Sequence, residues 1–256
     1  NYTLSFDALR SSLAGIDCYI MVLETYGINV WCAAGKGTFG TDEIVRRIEE
    51  THLADVVRHR KLILPQLGAT GVAARHVQSR TGFAVEFGPV RAHDLPEYLK
   101  THVATPEMRR VRFDLADRLV LVPVELMQVS LPMLAAAVLA WVLGGWIAAC
   151  AILAAVLAGA VLFPILLPFL PTRDFTTKGW LLGGLAVLPF AVAAFIKLDA
   201  SAVWLRFYLA LVPMVALPPV SAYIALNFTG SSTFSSKTGV RREVFRYIPL
   251  MAPSLG

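Results

Sequence analysis

The chain of 256 residues is 56% hydrophobic and carries a formal net charge of +5, a composition too apolar for an ordinary soluble domain. Its three cysteines show no paired spacing, which argues against a disulfide-bonded secreted domain and favours a reducing compartment. Positions 1–118 hold 15 of the 23 basic and 14 of the 18 acidic residues. We therefore divide the chain near Arg118 into a soluble domain and a membrane domain.

Segments with helical and strand-like patterns alternate along positions 1–118. Short runs rich in Ile, Val and Leu predict buried strands, and amphipathic runs predict helices. This alternation favours a parallel sheet covered by helices. The predicted fold is therefore α/β, a Rossmann-like parallel sheet, followed by an all-α transmembrane domain. The predicted strands are 16–25, 62–64 and 83–87, and the predicted helices are 4–14, 41–50, 53–59, 71–80 and 95–100.

The stretch 29–36, NVWCAAGK, lies between a predicted strand and a predicted helix, where open α/β sheets bind ligands. Asn29 is a favourable N-cap and Gly35 a favourable left-handed residue after a helix, so a helix of about one turn is expected between them. Cys32 would be its third residue. The field of the first turn and the nearby Lys36 both favour a thiolate there. Such a sulfur can be a nucleophile, a redox thiol or a metal ligand.

Two familiar motifs do not fit this stretch. A phosphate-binding loop requires glycine at the position of Val30 and Ser or Thr at that of Gly37. A dithiol motif requires a nearby second cysteine, whereas Cys18 lies fourteen residues upstream. We interpret Cys18 and Cys150 as small buried hydrophobic residues. The five histidines make no metal-ligand spacing with Cys32 and are interpreted as solvated or lightly packed; they are residues 52, 59, 76, 93 and 102.

The second half of the chain contains a long uncharged run, from position 126 to position 172. One helix of that length would be about 70 Å long, whereas a bilayer core is ~30 Å thick. The run must therefore reverse, and Gly144-Gly145 is the expected hinge. A further tight turn is expected at Lys197 and Asp199. The membrane domain, 119–228, is predicted to have four spans at 120–143, 147–170, 180–196 and 203–228, followed by a basic polar tail at 229–256.

Charge predicts the orientation of these spans. Basic residues gather before the first span, between the second and third, and in the tail, which places these segments and the soluble domain in the cytoplasm. The prolines from Pro213 to Pro219 kink or break the last span, and a break there would make five spans. Glu125 and Arg206 are intramembrane charges near span ends, where either function or snorkelling to the surface explains them.

The run NVWCAAGKGTFGT, positions 29–41, resembles the cap-helix signature of the HgcA family, membrane-bound corrinoid proteins that methylate mercury. Four further stretches are similar to the same family, at 56–74, 87–99, 104–113 and 117–126. The family has an upstream segment that this sequence lacks, and Asn1 is no initiator. We therefore expect the first domain to be truncated at its N-terminus.

The resemblance implies a corrinoid, with Cys32 as the lower axial ligand of its cobalt. A methyltetrahydrofolate-linked methyltransferase would supply the methyl group, Hg(II) would accept it, and a ferredoxin-like iron–sulfur partner, HgcB, would return electrons. A thiolate ligand would donate electron density to the cobalt. This donation suits transfer of the methyl group, with its electron pair, to a soft electrophile such as Hg(II). The small side chains of Ala33 and Ala34 would let the short helix lie flat against the macrocycle. The implied cofactor-binding residues are Asn29, Val30, Trp31, Cys32, Ala33, Ala34, Gly35 and Lys36.

Two other functions remain open at this point. One is a corrinoid methyl carrier of the acetyl-CoA pathway type with a different acceptor, although its relatives resemble only the soluble domain. The other is a non-catalytic membrane module that binds metal, which would require more thiol or imidazole ligands than the sequence provides. No basic surface interleaved with aromatic residues predicts binding of nucleic acid. The expected location is the cytoplasmic membrane, with the corrinoid domain facing the cytoplasm.

Overall fold

The computed structural model describes residues 1–197 and 203–255, and the side chains of 253–255 are left out of the description. The chain forms two compact units, Asn1–Arg112 and Phe113–Gly256. Charge had placed the boundary near Arg118, which instead lies in the first turns of a helix that begins at Leu115. The predicted turn at Lys197 and Asp199 falls partly outside the described residues.

Unit 1, Asn1–Arg112, consists of short helices around a small sheet. Most of the predicted helices are present with shifted ends, and the predicted helix 53–59 is reduced to one turn. Short 3₁₀ turns follow each strand, at Gln66–Gly68 and Ala92–Asp94. The elements are α1 (Thr3–Ser12), α2 (Val30–Lys36), α3 (Thr41–Glu50), α4 (Leu53–Val56), β1 (Lys61–Leu64), α5 (Ala74–Thr81), β2 (Ala84–Phe87) and α6 (Leu95–Thr101).

The two strands of unit 1 pair in parallel, with Lys61 opposite Ala84 and Leu64 opposite Phe87. The connection between them contains α5, as a parallel crossover requires. The predicted strand at 16–25 is wrong, because that segment joins no ladder within the described part of the chain. Its apolar residues are not uniformly buried either, since Tyr19 is 69% exposed. The α/β character therefore rests on two strands.

The core of unit 1 forms where α2, α3 and α5 cover the sheet. Apolar residues of α3 recur at helical spacing, and Ile44 and Ile48 are buried on its inner face. Phe83, which immediately precedes β2, is fully buried. The core also includes residues of α2 and of the loop after β1; its buried members are Leu23, Ala33, Ala34, Phe39, Ile44, Ile48, Leu53, Val57, Leu64, Val72, Val77 and Phe83.

Unit 2 is helical throughout its described secondary structure. A five-residue π-helical segment, Ala158–Leu162, lies between its first two helices, and a 3₁₀ turn, Phe228–Gly230, follows the fifth. The helices are α7 (Leu115–Leu157), α8 (Phe163–Leu166), α9 (Phe175–Lys197), α10 (Val203–Ala216), α11 (Pro218–Asn227) and α12 (Lys237–Leu255).

The long α7 is broken at Gly145, whose φ of 76° and ψ of −175° are not helical. Residues from both parts of α7 meet in one cluster, since Val129 and Met133 pack against a group that contains Val156. Val129 and Val156 are 27 residues apart, and in a straight helix they would be separated by about 40 Å. The chain therefore reverses at the predicted hinge.

The last two helices differ from the sequence expectation. The predicted fourth span is interrupted at Leu217, between α10 and α11, in agreement with its prolines. The predicted polar tail instead contains α12, which buries Glu243, Tyr247 and Met251 on one side, four residues apart. The many charges of this segment concealed its amphipathic pattern, because the buried stripe is narrow and includes a carboxylate.

Within residues 1–197 and 203–255, three stretches are long and apolar enough to cross a membrane: Leu115–Leu166, Phe175–Lys197 and Val203–Gly230. The first contains the reversal at Gly145, so its two parts form a hairpin of helices. The chain therefore has helices that can span a bilayer.

Candidate functional site

The helix α2 begins as the sequence predicts. Asn29 has extended backbone angles, and its side-chain Oδ1 accepts a hydrogen bond from the N–H of Cys32 at 2.9 Å. This bond satisfies one of the donors that a helix start leaves unpaired. Cys32 is the third residue of the helix, and its thiol is free and half-buried. The cap therefore fixes the backbone that carries the sulfur.

The end of α2 differs from the prediction. Gly35 is inside the helix, and the left-handed residue is Gly37, with φ of 91°. The carbonyl of Ala33 accepts hydrogen bonds from the N–H groups of Gly37 and Phe39, at 2.9 and 3.1 Å. Gly35 and Gly37 can both adopt the left-handed conformation. A helix end at Gly37 is favoured because it gives the carbonyl of Ala33 two hydrogen bonds.

The two sides of α2 have different surroundings. Cys32 and Lys36 are four residues apart and lie on the same side, where Cys32 is half-buried and Lys36 exposed. Ala33 is 0% and Ala34 5% exposed, and both belong to the core of unit 1. Their methyl groups therefore contact protein, and the role of these alanines beside a macrocycle stays a prediction. Trp31 is half-buried.

Small residues hold α2 against the loop that follows β1. A methyl group on Gly71 would lie 3.0 Å from both the Cα and the carbonyl oxygen of Ala34, and closer still to the carbonyl oxygen of Phe39. The ring of Phe39 covers Gly68 in the same way. Sequence reasoning missed these glycines, although the run GATG at 68–71 suggests a place where backbones approach closely.

The site lies at the carboxyl edge of the parallel sheet. Gln66 follows β1 in the turn that contacts α2, and its N–H donates to the carbonyl of Pro89, which follows β2, at 3.5 Å. The side-chain Oε1 of Gln66 is buried and has no hydrogen-bond partner among the described residues. A buried acceptor without a donor is costly in a folded protein. A ligand that donates an N–H or O–H at this edge would satisfy it.

Electrostatic interactions tie the segment before α2 to α3. Burial tends to raise the pKa of Glu43, but hydrogen bonds from the N–H of Glu24 and the guanidinium of Arg46 outweigh it and lower that pKa below its ordinary value. The Oε1 of Glu43 accepts the Glu24 N–H at 2.8 Å. This ionised carboxylate thus fixes the chain five residues before the cap of α2.

A second carboxylate is held at the strand pair itself. Lys61 Nζ lies 3.1 Å from Glu86 Oε1, and His102 Nδ1 lies 3.6 Å from Glu86 Oε2. The hydrogen bond from Lys61 lowers the pKa of Glu86 despite partial burial. These groups pair the two strands across the sheet and are not part of the edge occupied by α2 and Gln66.

The other residues singled out from the sequence have different surroundings. Cys18 is exposed, which corrects its interpretation as a buried residue, and Cys150 is half-buried in α7. Glu125 is buried in unit 2, where it accepts a hydrogen bond from the hydroxyl of Ser231 at 2.9 Å. Arg206 is half-buried in α10. Among these residues, only Cys32 combines a capped helix with a position at the edge of the sheet.

Comparison with known proteins relates the first part of the chain to one group. Residues 1–99 match the family CdhD, described as the delta subunit of CO dehydrogenase/acetyl-CoA synthase. The match ends before unit 2 and includes α2, Gln66 and both strands.

Curated relatives agree with this match. The gamma subunit of the acetyl-CoA decarbonylase/synthase complex of Methanopyrus kandleri is 33% identical over 102 residues, or 39% of this chain and 22% of that protein. The same subunit of Archaeoglobus fulgidus is 30% identical over 39% of this chain and 21% of its own length. The corrinoid/iron-sulfur protein large subunit of Moorella thermoacetica is 23% identical, over 41% of this chain and 24% of its own length. The chain thus spans less than a quarter of the length of these relatives, and no solved structure matches it.

Proposed function

We propose that unit 1 binds a corrinoid at the edge formed by α2 and Gln66, and that the chain is a membrane-bound methyltransferase that methylates Hg(II). The observation that carries the proposal is the position of Cys32. A capped helix holds its half-buried thiol at the carboxyl edge of a parallel sheet, within the segment that is similar to a corrinoid/iron-sulfur protein. The mercury acceptor rests on the resemblance of positions 29–41 to the HgcA signature.

The residues at this edge suit such a cofactor. Cys32 has a free sulfur on the side of α2 that faces away from the core, and this sulfur would hold the cobalt of the corrinoid. The peripheral amide groups of a corrinoid are N–H donors, and the buried Oε1 of Gln66 needs one. Asn29, Val30, Trp31, Gly35 and Lys36 would support or contact the cofactor, while Ala33 and Ala34 would act only through their backbone and packing.

The chemistry assigned to the chain's own residues is limited and specific. When bound, the corrinoid supplies a transferable methyl group on its cobalt. The sulfur of Cys32 would hold the cobalt and donate electron density to it, and such donation suits methyl transfer to a soft cation. The cap by Asn29 fixes the orientation of the sulfur, since it bonds the N–H of the same residue.

A second candidate function is a methyl carrier of the acetyl-CoA pathway type. The names of the matched relatives favour it, because they are subunits of acetyl-CoA decarbonylase/synthase complexes or a corrinoid/iron-sulfur protein. These similarities end near position 100, whereas a helical unit with stretches able to span a membrane follows. We therefore prefer the membrane-bound methyltransferase.

The proposal includes partners and a location. The methyl donor would be a methyltetrahydrofolate-linked methyltransferase, and a ferredoxin-like iron–sulfur protein, HgcB, would return electrons. Both require unit 1 on the cytoplasmic side of the cytoplasmic membrane. The basic residues near the ends of the apolar stretches favour this orientation; they are Arg109, Arg110, Arg112, Arg118, Arg173, Lys178, Lys237, Arg241, Arg242 and Arg246.

The test is methyl transfer by the purified chain in detergent, reconstituted with a methylated corrinoid and supplied with Hg(II). We expect methylmercury from the parent chain and from Cys18→Ala, and a loss of at least about 100-fold in Cys32→Ala. Cys18 is a matched control, because its thiol is free, exposed and in the same unit, and Hg(II) binds any accessible thiol.

Three results would change the assignment. Equal methylmercury formation by Cys32→Ala and the parent chain would remove Cys32 from the site. Corrinoid bound by the parent chain without transfer to Hg(II) would favour the carrier with another acceptor. Failure to bind any corrinoid would contradict both functions.

A further inference from the structure

The helix α7 carries a buried arginine without a charged partner. Arg118 is 5% exposed, and its Nε has no hydrogen-bond partner among the described residues. No described acidic side chain forms an ion pair with it. An arginine keeps its positive charge in proteins, and leaving such a charge buried without a partner costs several kcal/mol. The position therefore calls for an acceptor from outside the chain.

The segment after the last apolar stretch runs beside this arginine. Ser231 bonds Glu125 at 2.9 Å, and the ring of Phe234 lies 5.5 Å from that of Phe113. In the sequence, Arg118 lies between Phe113 and Glu125. It precedes Glu125 by seven residues, or about two helical turns, so both residues lie on the same side of α7. On the other segment, Ser231 and Phe234 make the two contacts, and residues 232 and 233 lie between them in the sequence. These two contacts therefore place Arg118 and the pair on facing segments of unit 2.

The hydroxyl groups of this segment differ in their hydrogen bonds. The hydroxyl of Ser231 is used by Glu125, and that of Ser232 accepts the N–H of Phe234 at 3.1 Å. The Oγ1 of Thr233 is buried and has no hydrogen-bond partner among the described residues. An unpartnered guanidinium N–H and an unpartnered hydroxyl thus occur on facing segments, and both can donate to one oxyanion.

We propose that Arg118 and Thr233 bind the phosphate of a phospholipid headgroup. The site lies where the first apolar stretch begins, at Leu115, and where the last one ends, at Gly230. If these stretches lie in a bilayer, the site is at the depth of the lipid phosphates, which are the abundant oxyanions there. The apolar helices beside it would contact the acyl chains, which distinguishes a lipid from free phosphate.

The experiment measures the thermal unfolding midpoint of the delipidated full chain in a non-ionic detergent. Dioleoyl-phosphatidylglycerol should raise the midpoint by about 2 °C or more, as expected for a ligand that binds only the folded state. Dioleoylglycerol, with the same acyl chains and no phosphate, and inorganic phosphate should each give less than a quarter of this shift. Arg118→Gln should lose the shift. Arg173→Gln should retain it, because Arg173 is an exposed arginine of the same unit and its loss changes the net charge equally.

Each result decides the assignment. An equal shift with dioleoylglycerol, or with Arg118→Gln, would contradict a phosphate site at Arg118. An equal shift with inorganic phosphate would show a free-anion site and overturn the lipid. If Arg118→Gln does not fold, Thr233→Val serves in its place: a shift reduced at least threefold supports the site, and an unchanged shift overturns it. None of these outcomes depends on the corrinoid.

Discussion

The two units use small residues for different purposes. In unit 1 a glycine lets one loop approach one short helix, since Gly71 lies against the backbone of Ala34. In unit 2 glycines recur along a helix and let whole helices approach each other. A methyl group on Gly179 would lie 2.5 Å from the Cβ of Ala225 and 2.7 Å from the carbonyl oxygen of Ser221. The first contact positions a site, and the second holds a bundle together.

This difference agrees with the way the two units bury their side chains. Unit 1 buries large apolar side chains, such as Phe83 and Ile44, and gains stability from the area removed from water. Helices in lipid gain little from that effect and associate through close packing and hydrogen bonds. The buried hydroxyl of Ser221, which donates to the carbonyl of Ala155 at 2.6 Å, is such a bond. The contrast predicts which substitutions each unit tolerates.

The largest effect is expected at the contact between α9 and α11. Gly179→Val would force the helices apart, because the atoms it meets belong to backbone or to a rigid methyl group. We expect a loss of about 3 kcal/mol or more in the unfolding free energy of unit 2. The control is Gly184→Val on the same helix, where an added Cβ meets no described atom within 4 Å. Thermal unfolding in detergent measures both, and equal midpoints for the two variants would refute close packing as the basis of the bundle.

The second-largest effect is expected where Gly71 packs against α2. Gly71→Ala should destabilise unit 1 by about 2 kcal/mol and loosen α2, because the new methyl group meets the backbone of Ala34. Gly35→Ala, in contrast, should raise helix stability by up to about 1 kcal/mol, since Gly35 is helical and an added Cβ meets no described atom within 4 Å. Urea unfolding followed by circular dichroism distinguishes them. Effects of the same sign would contradict the assigned end of α2 at Gly37.

A smaller effect is expected at the cap. Asn29→Ala should remove the bond to the Cys32 N–H and cost about 1 kcal/mol, whereas Asn29→Ser should retain most of the stability. Hydrogen exchange of the peptide covering 29–37 is the appropriate measurement, because it reports local opening of α2. Exchange that is unchanged in Asn29→Ala would mean that packing alone holds the helix.

The smallest effect concerns pH. The folded-state pKa of Glu43 is lowered, so its contribution to stability is present above the ordinary carboxylate pKa and is lost as pH falls through the lowered value. Glu43→Gln should therefore reduce the acid-dependent loss of stability of unit 1 within that window. Glu49→Gln, an exposed residue of the same helix, should leave it unchanged. Identical pH profiles for the parent chain and Glu43→Gln would exclude this linkage.

Local chemistry made several features predictable. Asn29 was recognised as a cap because its amide can accept the N–H that a helix start leaves free, and the structure confirms it. The reversal at Gly145 followed from the length of the uncharged run and from the freedom of glycine. The predicted helix 71–80 corresponds to α5, which ends at Thr81 before Gly82, whose φ is 77°. In these cases a residue and its neighbours decide the structure.

Features that depend on distant residues were not predictable. The segment 16–25 has the composition of a strand, but pairing is decided by a neighbouring strand and not by composition. The choice of Gly37 over Gly35 depends on the hydrogen bonds of the next loop, including that of Phe39. The buried side of α12 includes the carboxylate of Glu243, which is satisfied by the hydroxyl that Thr176 of α9 donates to it at 2.8 Å. Sequence patterns do not show such partners.

The visible spectrum of the corrinoid-loaded chain tests the central claim most directly, because axial ligation of cobalt changes it. The full chain in detergent is titrated with a corrinoid, and the bound form of the parent chain is compared with those of Cys32→Ala and Cys18→Ala. The account predicts that the parent chain and Cys18→Ala share one spectrum, which differs from that of the free corrinoid, and that Cys32→Ala loses this change and retains less corrinoid. A bound spectrum that is the same in Cys32→Ala and in the parent chain would contradict ligation by Cys32.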